Sequence, residues 1–392
     1  MKNTVYLLMF LLLTLTACSE KELTPISKSL GKPGVVTNVE QEAIPGGVRL
    51  TYLIPQTEDI LAVKAVYTLS NGKTYESVSS YYENSLRVEG FNDLNEHELK
   101  LYTVNRAQEI SDPVTVKFAP LESPLSKVIK TVNIVSDFGG ANFSWMNVDK
   151  APITFELLAQ DSIGQMRTMN VVTSEMETAN RTIRGYASVP WRFATIVSDN
   201  FGNMSDSIFP PSILTPLFEE RLNKTKMSVM KLSNDANYTN WEGMDYYLID
   251  DDKTTFGHSP SNSLPAPFTI DLGVKARLSR LVLHNRHFND SYYSWGNPKK
   301  VTVYVCFHTP SSSGDWDEWT KISDYEEVKP SGLSGTTMSD EDLTYAEAGF
   351  EYLFPIEMEA VRYIRVTVLE TWEGTTFTHP AEIDVYGETV NE

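Results

Sequence analysis

The chain has 392 residues, with 33 Lys and Arg against 52 Asp and Glu and a formal net charge of −19. So acidic a surface repels nucleic acid and anionic lipid headgroups and suits a neutral partner better. The length accommodates roughly two to four domains with sizeable cores, and two cysteines exclude both a disulfide framework and a Cys-x-x-Cys metal or redox motif.

Residues 1–18 read as a secretory signal: Lys2 supplies the positive n-region, and residues 5–15 form an apolar run too short to span a bilayer comfortably. The run ends in Leu15-Thr-Ala-Cys18, which resembles a bacterial lipobox. The resemblance implies cleavage before Cys18 and lipidation of its thiol, hence an outer-membrane protein that is anchored without spanning and faces the cell exterior. Ser19-Glu-Lys-Glu22 is similar to the acidic export tag of Bacteroidetes-type surface lipoproteins. The remaining thiol, Cys306, lies on an apolar strand over 301–307 and reads as a core residue.

Residues 19–30 are a linker, and Gly31-Lys-Pro-Gly34 begins the first folded segment, 31–120. Residues 48–54 and 63–69 alternate apolar and polar side chains, with a Ser70-Asn-Gly72 turn between runs, the pattern of short strands in a sandwich. Residues 94–105 and 111–116 resemble the last strands of a fibronectin type III domain. The following segment, 121–217, is a diverged copy: Gly47-Val-Arg-Leu-Thr-Tyr52 aligns with Gly140-Ala-Asn-Phe-Ser-Trp145 at an offset of 93, and residues 99–104 align with 192–197 at the same offset. Trp145 and Trp191 fall on these runs and are assigned to the core. Pro210, Pro211 and Pro216 mark the second boundary.

In the third segment, 218–392, residues 219–231 read as either a short helix or a leading strand, 234–247 as polar loop, and 278–284 and 301–307 as sandwich strands. Asp250, Asp252 and Thr255 place oxygen atoms at i, i+2 and i+5 on a tight loop, as an oxygen-loving cation requires; the plainer reading is a solvated turn. Four segments together, Leu248-Ile-Asp-Asp-Asp-Lys-Thr-Thr-Phe-Gly-His-Ser259, Phe268-Thr-Ile-Asp-Leu-Gly273, Val361-Arg-Tyr-Ile-Arg-Val-Thr-Val368 and Ala381-Glu-Ile-Asp-Val-Tyr-Gly387, resemble the discoidin (coagulation factor 5/8 type C) domain, shared with family 32 carbohydrate-binding modules. The resemblance implies a galactose-binding-like jelly roll and a structural calcium ion held by the side chains of Asp250, Asp252, Thr255 and Glu382 and the backbone carbonyls of Tyr247 and Ala381. One departure is Gly257, where the family carries Trp, so the neighbouring core must be filled differently.

The loop between the two strands, residues 284–297, is the richest in the chain. Sugars stack their apolar C–H faces on aromatic rings while amides, Arg and His hydrogen-bond the hydroxyls. Tyr292, Tyr293 and Trp295 are candidate platforms, with Arg286, His287 and Asn289 as polar partners; the alternative is that Asn285 and Arg286 hold the loop and Trp295 packs on it. Trp241 and Trp372 are further candidates on exposed connections. Trp319 reads as core, and Trp316 is left open. His-Glu-x-x-His, Gly-x-Ser-x-Gly and Gly-rich phosphate-loop signatures are absent, so no catalytic residue is assigned. Acidic residues are numerous enough for a glycosidase pair, but such a pair needs a scaffold that sets its separation, and linker and three binding-type sandwiches already fill the chain.

The expected fold is all-β, three β-sandwich domains in tandem: two fibronectin III/Ig-like, then a discoidin-like jelly roll. The chain as a whole resembles the surface glycan-binding lipoproteins of Bacteroidetes polysaccharide-utilisation systems. That implies noncatalytic capture of a polysaccharide or oligosaccharide, with a glycan ligand, an outer-membrane lipid anchor and a glycan transporter complex as partners. An adhesive protein-binding module and a polysaccharide-active enzyme are the competing readings.

Overall fold

The structure, a computed structural model, describes residues 27–56, 59–288 and 291–390. The lipobox and Cys18 lie outside the described residues, as does Asn289.

Seven strands make the first sandwich: β1 (Thr37–Ile44), β2 (Gly47–Leu53), β3 (Ile60–Thr68), β4 (Thr74–Ser80), β5 (Ser85–Glu89), β6 (His97–Asn105) and β7 (Val114–Phe118). Period-two alternation puts Val48, Leu50 and Tyr52 of β2 on one face, opposite Val63, Ala65 and Tyr67 of β3, and the sheets β1-β2-β5 and β4-β3-β6-β7 close on these side chains. The second sandwich repeats the plan with β8 (Asn133–Asp137), β9 (Gly140–Met146), β10 (Ile153–Gln160), β11 (Met166–Ser174), β12 (Thr178–Arg184) and β13 (Phe193–Asp199), ordered β12-β9-β8 and β11-β10-β13. The sequence offset has a steric counterpart. A Cβ on Gly47 would sit 1.9 Å from the Val88 carbonyl oxygen, and one on Gly140 would sit 1.8 Å from that of Ile183, so both second strands begin with a residue that must lack a side chain. Trp145 is buried and stacks on Phe155, and Trp191 is half-buried against the same core.

A short helix, α1 (Pro124–Ile129), capped by Ser123, follows the junction of the first two sandwiches. There the Phe201 ring packs on Tyr75, and Asn203 Nδ2 donates to the Gly90 carbonyl (2.8 Å). Glu219 joins the second sandwich to the third: its carboxylate faces Arg184 (3.4 Å) and Arg280 (3.2 Å) and accepts from the Ser279 hydroxyl (2.6 Å).

The C-terminal unit contains β14 (Glu220–Arg221), β15 (Ser228–Met230), β16 (Ala266–Asn285), β17 (Pro298–Cys306), β18 (Thr320–Glu326), β19 (Phe350–Leu353), β20 (Val361–Thr371) and β21 (Pro380–Thr389). The ambiguous stretch after residue 219 is thus two short strands separated by a single 3-10 turn, Lys224–Lys226. Strand β16 serves two layers. Its first part pairs with β15 and β20 and its second with β21 and β19, with the register broken between Asp271 and Ala276. Gly273 sits in that break at φ +68°, where a Cβ would lie 1.9 Å from the Lys226 carbonyl oxygen, so only glycine lets the chain turn the corner. Phe268, Ile270, Leu281, Leu283, Val303, Ile364, Val366, Ile383 and Val385 fill the space between the layers. A helix, α2 (Asp340–Ala348), closed by a Ser339/Asp342 capping box, packs on β16. Cys306 is fully buried, Trp319 is buried and Trp316 is exposed.

Beside β18, Glu327 is buried and its carboxyl is pushed up to about 7 by burial, with the nearby Tyr352 hydroxyl working the other way. A carboxyl raised in the folded state contributes stability that is complete below its unfolded value near 4.5 and is lost as pH rises through about 7. Glu327→Gln should therefore melt above the parent at pH 8, by up to about 3 kcal/mol, and should converge with it near pH 4. Parallel melting curves for the two proteins across that range would remove Glu327 as the cause.

Candidate functional site

The Asp run does form a tight turn. Asp251 takes φ +69°. The Asp250 carboxylate accepts the Asp252 N–H (3.0 Å) and lies 3.0 Å from the Thr255 hydroxyl, while Asp252 accepts both the N–H and the hydroxyl of Thr254 (2.9 and 2.6 Å). Glu382, on β21, is buried and bonded elsewhere: it accepts the N–H groups of Asp251 (2.6 Å) and Ile383 (2.9 Å). Its other neighbour is a cation supplied by the chain. The Lys224 ammonium lies 3.0 Å from Glu382 Oε1, 2.7 Å from Asp384 Oδ1 and 3.6 Å from Asp251 Oδ1, with its side chain only 6% exposed. Burial raises the Glu382 carboxyl to about 7 and Lys224 opposes that rise. Among the described residues, no group of three or more His, Cys, Asp or Glu side chains is gathered as metal ligands. Tyr247 packs edge-on against Tyr246, and Ala381 is buried in β21. Of the residues expected to hold calcium, Asp250 and Thr255 lie together while Asp252 is turned to Thr254 and Glu382 faces Lys224, so as placed they do not gather around one point and do not fit the ion.

The space opened by Gly257 is filled by Tyr238. This ring is buried, its hydroxyl donates to the Ala266 carbonyl (3.0 Å), and a Cβ on Gly257 would come within 3.1 Å of it.

Three connections meet at one end of the C-terminal sandwich. Residues 239–258 carry Trp241, Phe256 and His258; 286–297 carry Arg286, Phe288 and Trp295; 372–379 carry Phe377 and His379. Backbone bonds bind the three together: Ser259 N–H donates to the Thr378 carbonyl (2.9 Å), His379 N–H to that of Gly296 (3.0 Å) and Trp372 N–H to that of Asn297 (3.1 Å). Asn297, fully buried, locks the middle loop by accepting the Arg286 N–H (2.9 Å) and donating to the carbonyls of Arg286 (3.0 Å) and Tyr292 (2.9 Å). Residues held this way have little ordering left to do on binding.

What it presents is a band of rings around one guanidinium. Trp241 is 82% exposed and stacks on His258 (centroids 5.9 Å apart), which in turn stacks on Phe377 (4.9 Å). Arg286 lies over Phe256 at 3.8 Å and within 5.5 Å of Phe288, and the exposed Phe288 packs against the exposed Trp295 (5.6 Å). Beneath, His379 Nε2 accepts the Gly296 N–H (3.0 Å). Burial holds the His379 ring down to about 3 and also lowers that of His258, so both rings are neutral and Arg286 supplies the positive charge, its guanidinium lowered by burial with the Glu242 charge working the other way.

Of the expected platforms, Trp295 and Trp241 are on this surface, with Arg286. Tyr292 is half-buried and stacks on the exposed His287 (4.9 Å, 8°) at the edge of the same loop. Two are corrected. Tyr293 is 1% exposed, donates its hydroxyl to the Asp342 carbonyl (2.9 Å) and meets Phe350 and Trp372 edge-on, so it is core. Trp372 is partly buried against that core, between Tyr293 and the ammonium groups of Lys299 and Lys329. The surface gains the exposed Phe288 and the half-buried Phe256 and Phe377, with His258 buried beneath Trp241, none of which sequence reasoning selected. Phe256-Gly-His258 directly follows the Asp run, and Phe288 stands beside His287; that adjacency was the available signal.

Three family profiles match in succession, each described as a domain of unknown function: DUF4959 over residues 33–120, DUF5126 over 121–225 and DUF5000 over 237–387. No curated protein sequence matches the chain. Among solved structures, a SusE-like protein is 30% identical, with the match covering 67% of this chain and 98% of that one at a TM-score of 0.44. The chain belongs to the SusE-like family. The identity over nearly the whole of that relative decides this, since the superposition is loose. Shorter matches cover less than half of the chain. One is to an F5/8 type C domain from Bacteroides fragilis (12% identity, 44% of this chain, 98% of that one, TM-score 0.29). Another is to the first family 32 carbohydrate-binding module of a family 31 glycoside hydrolase from Clostridium perfringens (18% identity, 41% and 93%, TM-score 0.26).

Proposed function

We propose that this SusE-like chain captures a carbohydrate noncatalytically on the surface built from Trp241, Phe256, Arg286, Phe288 and Trp295. The observation that supports it is the set of exposed rings, Trp241, Phe288 and Trp295, with the Arg286 guanidinium beside Phe288. Rings accept the C–H faces of pyranoses, and the guanidinium offers several N–H donors to hydroxyl oxygens between two such contacts. The net charge of −19 favours a neutral glycan over a polyanionic one. In this reading the N-terminal sandwiches are spacers, and the chain is lipid-anchored through Cys18 at the outer membrane, serving a polysaccharide-uptake system. Kinship with a SusE-like protein supports that setting.

The test is a glycan-array and affinity-electrophoresis screen of the chain from Ser19 onward, run beside a reducing-sugar assay on the same polysaccharides. Retardation by one glycan class without release of reducing ends is the expected result. Release of ends would make the protein an enzyme, and silence on every glycan would turn the surface over to a protein partner.

A further inference from the structure

The first strands of the C-terminal unit carry a lysine with no part in the aromatic surface, and its surroundings are unusual. Lys224 stands in the 3-10 turn between β14 and β15, yet its ammonium is carried inward to three carboxylates that belong to two other segments: Glu382 and Asp384 on β21, and Asp251 in the Asp turn. Two further basic side chains complete the shell. Arg221 reaches Asp251 (2.7 Å) and Asp384 (3.2 Å), and His284 Nε2 lies 3.0 Å from Asp384 Oδ2. Glu382 and Asp384 are 1% and 5% exposed, so both carboxylates need a nearby positive charge to stay in the core as anions.

We infer that the Lys224 ammonium is a built-in replacement for a divalent cation, holding the Asp turn to β21 so that the C-terminal sandwich is stable without calcium. The chemistry is that of a monovalent point charge with three donors set among oxygen atoms at 2.7 to 3.6 Å. It does what a structural ion does: it draws together oxygens from segments distant in sequence. Being covalently attached, it neither dissociates nor responds to chelation. The consequence reaches the aromatic surface, because the turn runs directly into Phe256 and His258, and Gly257 N–H is bonded to the Pro380 carbonyl (2.9 Å) at the head of β21. This inference stands whether or not the surface binds sugar, and its readout is thermal.

The experiment compares the full chain and Lys224→Ala in excess EDTA and in millimolar CaCl2. Five of the seven tryptophans lie beyond residue 218, so tryptophan fluorescence on heating follows the C-terminal unit. The parent should melt at the same temperature in both solutions. Lys224→Ala, which removes the ammonium that the three carboxylates share, should melt roughly 5–10 °C lower in EDTA and recover a large part of that loss in CaCl2. Lys224→Arg, which keeps the charge, should fall between the two and ignore calcium. A parent that loses stability in EDTA and regains it with calcium would overturn the inference, and so would a Lys224→Ala protein that melts with the parent or is indifferent to calcium. If the alanine variant does not fold, the parent's own response to EDTA still decides the matter.

Discussion

Trp241→Ala should weaken glycan binding by at least about tenfold while leaving the melting temperature within a degree or two of the parent. The ring is 82% exposed and touches the protein mainly through His258, so removing it forfeits little packing. A stacking platform that also excludes water from a sugar contributes on the order of 1.5 kcal/mol or more, which is the tenfold expected. Arg286→Ala should do the same through lost hydrogen bonds, and with a small stability cost, because its guanidinium also covers Phe256 at 3.8 Å. Affinity electrophoresis on the glycan found by screening, with a melt of each variant, separates the two effects. Unchanged retardation for both variants would remove this end of the sandwich from the site.

The second large effect concerns stability alone. Arg365, on β20, is completely buried, and its guanidinium donates to Asp235 (2.7 and 3.0 Å), Asn234 (2.5 Å) and the Gly314 carbonyl (3.1 Å) while lying 4.0 Å from the Trp316 ring. Asp235 is itself 5% exposed at its side chain, and burial already raises its carboxyl, with Arg365 pulling the other way. Arg365→Met leaves that carboxylate without its counter-charge and should destabilise the C-terminal sandwich by about 3–5 kcal/mol. Adding Asp235→Asn should restore part of the loss, since the stranded charge rather than the missing bond carries most of the penalty. Equal melting temperatures for the single and double variants would show that packing against Trp316 matters more than the ion pair.

The same residue shows why part of this molecule was legible in its sequence and part was not. Arg365 sits in a run whose alternation announces a strand, and the strand is there. That an arginine on it would point inward is decided by Asp235, 130 residues earlier, which only the folded chain brings alongside. Tyr292 and Tyr293 make the point for the site. These neighbours face opposite ways: one ring stacks on His287 at the loop edge while the other lies in the core against Phe350. Composition marked the loop as rich in candidate platforms but could not say which ring was outward. Trp372 was misplaced for the same reason, and Phe256 and Phe288 were passed over because an isolated Phe in a loop carries no signal until its neighbours are known.

What the sequence by itself determined is local or repetitive. Strand positions follow from a two-residue period, the kinship of the first two sandwiches from an offset of 93, and the Asp turn from side chains that bond their own backbone. Each depends on interactions within a few residues or on comparing the chain with itself. Tertiary structure decided what those elements meet: which aromatic rings reach solvent, and that the Lys224 ammonium stands between Glu382, Asp384 and the turn. Exposure and charge pairing are set by atoms brought together across more than a hundred residues. A loop's own sequence records neither.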